Sequence, residues 1–230
     1  MQHNDSKAAT TSRMRKRAQS FGEEVANSVS HGTGFVAALV GTPFLLAEVA
    51  RKGSVADLVG AAVFAATVML AYLASTLYHA LPVSRAKAVL RTLDHGSIFL
   101  LIAGTYTPFT LGVLGGGWGW TLLGLIWTLA LAGVVMKALG GVRFPRLSVV
   151  LYLAMGWLVL VAIGPLLERM PPAGLAWLVA GGLAYTGGVL FYALDRYRWC
   201  HFIWHLFVIA GTACHFVAVM GYAAAPTGQA

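Results

Sequence analysis

Charged side chains are scarce in this chain of 230 residues: Asp and Glu together number eight, Lys and Arg sixteen, and the four types make up 10% of the composition. An ordinary soluble domain carries about a quarter. With 58% hydrophobic residues there is too little charged surface to cover an apolar interior, which excludes a conventional soluble globular protein. Cysteine is nearly absent as well. Cys200 and Cys214 fall on one predicted helix about 21 Å apart, beyond disulfide reach, so they indicate neither a disulfide framework nor a redox compartment. Residues 1–20 contain no apolar core and are therefore not expected to act as a secretory signal peptide, so the first hydrophobic segment is expected to remain in the membrane.

What the chain has instead is long stretches without Asp, Glu, Lys or Arg. They run from Val25 to Ala47, Leu58 to Ser84, His95 to Met136, Leu147 to Leu167, Pro171 to Leu194, and Tyr197 to the C-terminus with Arg198 as the one interruption. About 20 apolar residues of helix cross a bilayer core. Five stretches hold one crossing each. The third, 42 residues long, holds two, with Gly115-Gly116-Gly117 as the hairpin between them. The predicted fold is therefore all-α: a seven-transmembrane helix bundle over 21–224, preceded by a polar tail over 1–20 expected to be disordered and followed by a short C-terminal tail over 225–230.

The net charge of +8 invites a nucleic-acid reading, which its distribution removes. With the N-terminus cytoplasmic and the loops alternating, Lys7, Arg13, Arg15, Lys16, Arg17, Arg85, Lys87, Arg91, Lys137, Arg143, Arg146, Arg196 and Arg198 lie inside, and only Arg51, Lys52 and Arg169 outside. That asymmetry follows the positive-inside rule. The basic run at 13–17 reads as a topological anchor beside anionic lipid, and seven crossings then put the C-terminus outside.

Ionisable groups within membrane segments are costly and so mark candidate sites. On this topology, Ser75 and His79 close the second crossing, Asp94 and His95 open the third, and His201 and His205 open the seventh, all at one depth on the inner side. His201 and His205 are four residues apart and project from one helix face, a spacing that lets two imidazoles share a metal and equally suits an interhelical hydrogen-bonding pair. His79 would complete a three-histidine set with one position open to water, the catalytic pattern for zinc, in which the bound water loses a proton near neutral pH. Asp94 could orient that water or take its proton; it could also cap the third helix or pair with Arg91. Ser75 has the same four-residue spacing to His79 and is either a site hydroxyl or an ordinary packing residue between helices.

Other polar and aromatic residues carry less. His215 lies about 15 Å beyond His205 along the helix, too far for the same ion, and reads as a satisfied interhelical donor. His31 is either behind the ligands or merely packed. His95 points about 100° away from Asp94 around its helix and is left out of the ligand set. Trp118, Trp120, Tyr152, Trp157, Trp177 and Tyr197 read as interfacial or lipid-facing.

At these residues the sequence resembles the bacterial hemolysin III family, the prokaryotic branch of the progestin and adipoQ receptor family, which is in turn similar to the alkaline ceramidases. The resemblance runs from Glu23 onward. It rests on Glu24-x-x-Asn27-x-x-x-His31-x-x-Gly34, on Ser75-x-x-x-His79, on Asp94-His95-Gly96-Ser97-Ile98 with Ala103 to Pro108, and on His201-x-x-x-His205-Leu206-Phe207-Val208 continuing to His215-Phe216. It implies seven crossings with a cytoplasmic N-terminus in the bacterial plasma membrane. It also implies zinc held by His79, His201 and His205, Asp94 reaching the metal through water, and Ser75 nearby. For the superfamily it implies metal-dependent hydrolysis of lipid amides.

Three functions follow as expectations. The leading one is a zinc-dependent intramembrane hydrolase of a lipid amide or ester, with Asp94 as general base and Ser75 positioning water or the oxyanion; its sign would be a lipid-accessible cavity leading to the zinc. The second is a non-enzymatic sensor or regulator of membrane state in which zinc staples the second and seventh helices. The third is a cytolytic pore former, disfavoured because the helices are apolar all round. The expected partners are membrane lipid and zinc, with no nucleic acid; the oligomeric state is open.

Overall fold

In a computed structural model, residues 17–141 and 144–224 are described. Residues 1–16 of the tail expected over 1–20, the expected C-terminal tail over 225–230, and residues 142–143, including the basic Arg143, lie outside them. Among the described residues, seven helices are long and apolar enough to cross a membrane: α1 (Phe21–Lys52), α2 (Val55–Ala80), α3 (Arg85–Leu114), α4 (Gly116–Gly140), α5 (Pro145–Arg169), α6 (Pro172–Ala193) and α7 (Cys200–Tyr222). Among the described residues there is no strand.

The helix ends follow local chemistry. Ser20 opens α1 with a capping box to Glu23, and Ser54 opens α2 with one to Asp57; each pair satisfies two backbone donors that the first turn leaves free. Ser84 caps α3 by accepting from the Lys87 amide. Pro145 and Pro172 sit in the first turns of α5 and α6, where no amide is missed. The α3–α4 hairpin falls at the predicted glycines: Gly115 and Gly116 take φ of 50° and 48°, a region closed to most side chains.

In the most apolar stretch of α3, 78% of residues are buried, against 17% in α1, α5 and α6, so α3 is the central helix. It packs against α2 and α4 and touches α5 and α7, while α1 lies between α2 and α7. The α2–α3 contact is unusually close. A Cβ on Gly60 would come within 2.7 Å of the Pro108 backbone, and one on Gly104 would overlap the Thr67 side chain. Small residues of this kind let membrane helices approach backbone to backbone. Gly104→Ala is expected to destabilise the bundle by about 1–3 kcal/mol, read as a lowered melting temperature in detergent. Wild-type melting would contradict the close approach.

Two crossings are irregular. The last turn of α3, Thr110–Leu114, is a π-helix just after Pro108. In α5, regular helix stops at Gly156, Leu158–Ala162 is a 3-10 segment, and helix resumes at Ile163. Backbone groups freed in a bilayer must find partners, and Tyr106 supplies them. Its hydroxyl lies 2.8 Å from the Met155 carbonyl and 3.0 Å from that of Gly156, and accepts from the Val159 amide at 2.8 Å. Tyr152 and Trp157, expected at the lipid face, turn inward. Tyr152 donates to the His95 carbonyl at 2.6 Å, and the Trp157 indole donates to Thr186 Oγ1 at 3.1 Å. A polar tip on a membrane helix is drawn inward where an acceptor is waiting.

Candidate metal centre

The residues singled out in the sequence gather at one end of the bundle. His79 is in the last turn of α2, and His201 and His205 are in the first two turns of α7. Each of these three histidines offers a nitrogen within 4.8 Å of the others, and together they could hold a metal ion. Their ring centroids are 5.1 Å (His79 to His201), 5.1 Å (His79 to His205) and 4.8 Å (His201 to His205) apart. Nitrogens sharing a tetrahedral zinc at about 2.0–2.1 Å lie roughly 3.3 Å from one another, so the rings would need to draw in by no more than about 1.5 Å.

Hydrogen bonds at the far side of two rings fix which nitrogen is available. His79 Nδ1 is 2.7 Å from Glu24 Oε2. A carboxylate only accepts, so Nδ1 carries the proton and Nε2 presents a lone pair; Nε2 is buried and has no protein partner. His205 Nδ1 is 3.2 Å from the Asn27 carbonyl and 3.1 Å from Ser30 Oγ. Ser30 itself donates to Asn27 O at 2.9 Å, so the imidazole is the donor and its Nε2 is likewise the free lone pair. Rings oriented in this way from behind are characteristic of metal-binding histidines. The donor set fits a zinc-like cation.

Helix α1 supplies this backing. Glu24, Asn27 and His31 follow one another at three- and four-residue intervals, which puts them on one helix face. The His31 ring stacks on His205 at 3.6 Å with 6° between planes and leans on Tyr72 at 5.0 Å. His31 thus packs directly against a member of the histidine cluster. The sequence spacing on α1 was the signal that could have shown it. Glu24 is itself held, its Oε1 lying 3.0 Å from Lys87 Nζ, which also donates to the Leu81 carbonyl. Glu24→Gln is expected to weaken metal binding by about 10–100-fold, measured by competition with a chelator. Unchanged affinity would mean that the Glu24 contact does not orient His79.

The entry of α7 is fixed from the same end. Trp199, just before it, has φ of 66°, a left-handed conformation costing a non-glycine residue about 1–3 kcal/mol. Its amide donates to Glu23 Oε1 at 2.9 Å, and Glu23, 3% exposed, is also clasped by Arg17 at 2.6 and 2.9 Å. The α1 capping carboxylate thus also holds the turn that delivers His201.

Ser75 and Asp94 line a cavity of about 40 Å³ together with His31, His201 and His205. Ser75 Oγ is buried without a protein partner. Asp94 does not cap its helix: α3 begins at Arg85, about two and a half turns earlier, because Ser84 provides the cap and the basic residues after it continue the helix. Its carboxylate lies 3.4 Å from His95 Nδ1, and among the described residues no ion pair joins it to Arg91. His95 Nδ1 donates to Arg91 O at 2.8 Å. His215 is the interhelical donor the sequence suggested, with Nε2 3.2 Å from the Leu178 carbonyl.

Fold and site together define a seven-helix membrane protein with a three-histidine cluster, His79 and His205 buried and His201 partly so, that could hold a metal ion at one end of the bundle. The chain belongs to the haemolysin-III-related family, which matches it over residues 19–216. It is 42% identical over 200 residues to the Hemolysin-3 homolog of Bacillus subtilis (strain 168), covering 87% of this chain and 94% of that protein. It is 40% identical over 212 residues to Hemolysin-3 of Bacillus cereus, covering 92% and 97% respectively. A more distant similarity, 29% over 214 residues and 84% of the relative, is to the human Monocyte to macrophage differentiation factor.

Proposed function

We propose that this protein is a zinc-dependent intramembrane hydrolase of a lipid amide or ester, lying in the bacterial plasma membrane with its N-terminus and histidine cluster on the cytoplasmic side. The observation that carries the reading is a run of adjoining cavities. The small cavity holding Ser75 and Asp94 shares Ile98, Leu101, Trp204 and Val208 with an apolar cavity of about 120 Å³. That one shares Thr105, Tyr106, Trp157 and His215 with a third of about 100 Å³. The third is bordered by Leu160, Ile163 and Val179, which are 40–52% exposed on the outer surface of α5 and α6. An acyl chain can enter there from the bilayer and reach the polar end of the bundle with its carbonyl leading.

A zinc ion held by His79, His201 and His205 would polarise that carbonyl and acidify a water. Asp94, facing the same small cavity, takes the proton from the attacking water and returns it to the leaving group. Ser75, whose hydroxyl has no competing protein partner, donates to the oxygen on which charge develops. The apolar walls keep bulk water away, which strengthens each of these interactions.

The test is release of fatty acid. Purified zinc-loaded protein, incubated with total lipid extract from a bacterial membrane, should liberate free fatty acid detectable by mass spectrometry, and chelation should stop it. No release from any lipid pool by fully loaded protein would overturn the reading. The competing view, a zinc-stapled regulator of membrane state, draws on the way Glu24, Asn27 and Ser30 join α1 to His79 and His205. It differs in requiring no chemistry from Asp94.

A further inference from the structure

Among the described residues that line the two apolar cavities, one buried side-chain nitrogen or oxygen has no hydrogen-bond partner in the protein. Each hydroxyl lining them is already bonded: Thr105 to Leu101 O, Thr110 to Tyr106 O, Tyr152 to His95 O, Tyr185 with Thr212, Thr186 to Gly182 O, and Tyr106 to the α5 break. His215 differs. It lines both cavities and is 7% exposed. Its Nε2 faces the Leu178 carbonyl at 3.2 Å, which can only accept, so Nε2 carries the proton and Nδ1 is a bare acceptor. Nδ1 is buried and has no partner. The ring is held in this pose: it lies so close to α6 that a Cβ on Gly181 would overlap it, and Tyr185 leans on it at 5.5 Å.

An unsatisfied buried acceptor is unfavourable, and a water filling the gap needs two to four polar partners, which the apolar walls and committed hydroxyls supply poorly. A hydroxyl carried on a hydrocarbon chain needs this one acceptor alone. We propose that His215 is a specificity-determining residue that selects a lipid whose acyl chain bears a hydroxyl group. The inference rests on the lipid-cavity reading above. It also specifies a position: His215 is ten residues beyond His205, about 15 Å along α7, which an extended chain spans with about a dozen carbons. The hydroxyl is thus expected mid-chain, far from the reacting carbonyl.

Displacement of a fluorescent fatty acid from the purified, metal-loaded full-length protein in detergent tests this. The probes are 12-hydroxyoctadecanoate, 6-hydroxyoctadecanoate and octadecanoate. The 12-hydroxy acid should displace about five- to tenfold better than the other two. His215→Leu should abolish that preference, the 12-hydroxy acid then displacing no better than octadecanoate. Equal displacement by all three from the wild-type protein would overturn the role of His215 while leaving the acyl cavity standing, and needs no variant to fold. A preference that survives His215→Leu would overturn it equally. If none of the three displaces the fluorescent chain, the acyl-cavity reading falls and this inference with it.

Discussion

His205→Ala should empty the metal centre. Purified wild-type protein is expected to hold about one zinc per chain, and the variant close to none by elemental analysis. The effect should exceed the 10–100-fold that follows loss of a supporting hydrogen bond, because a ligand itself is removed. It also leaves Ser30 and the Asn27 carbonyl, which His205 now bridges, facing a void. A second readout separates metal loss from misfolding. A ligand bound at a thousandfold excess over its Kd stabilises the folded state by about 4 kcal/mol, so a chelator should lower the wild-type melting temperature by on the order of 10 °C. The same chelator should not move that of His205→Ala. His31→Ala is the control: that ring stacks on His205 at 3.6 Å without belonging to the cluster, and its loss should reduce stability while zinc is retained. Full zinc content in His205→Ala would remove the three-histidine site.

The sequence carried the coarse fold because the bilayer imposes a coarse rule. Charge-free stretches of sufficient length, with Gly115 and Gly116 as the hairpin, yielded the seven crossings. The grouping of the three histidines was legible for a similar reason: ionisable groups are costly inside membrane segments, so His79, His201 and His205, which come together as a group that could hold a metal, stand out in the sequence. What could not be read is what tertiary contacts decide. The start of α3 at Arg85 is hidden because Arg85, Lys87 and Arg91 look like loop charge, although a helix emerging from a membrane carries them equally well; Asp94 was therefore placed at a helix end and not inside one. The break in α5 leaves no mark, since Trp157 to Ala162 is uniformly apolar and the Tyr106 hydroxyl that stabilises the break comes from another helix. That break brings Trp157 inward, where it lines the apolar cavity.

Asp94→Asn is expected to leave zinc content and melting temperature near wild type and to reduce fatty-acid release by about 10²–10⁴-fold. The substitution preserves shape and one acceptor oxygen, so the cavity shared with Ser75, His201 and His205 should persist. What disappears is a carboxylate able to take a proton. Because Asp94 does not cap its helix and does not pair with Arg91 among the described residues, its replacement removes no obvious structural contact beyond that to His95 at 3.4 Å. A stability defect is therefore not the expected cause of lost activity. The two readings of the metal centre diverge most at this residue. If zinc only staples α2 and α7, the strength of the staple lies in the histidines and in the α1 residues Glu24, Asn27 and Ser30 that back them, and an amide at position 94 costs nothing in the cell. If the cluster performs hydrolysis, the same amide leaves a folded, metal-loaded protein that cannot activate water. Retained zinc with lost turnover supports the hydrolase, whereas retained zinc with undiminished cellular function would favour the regulator.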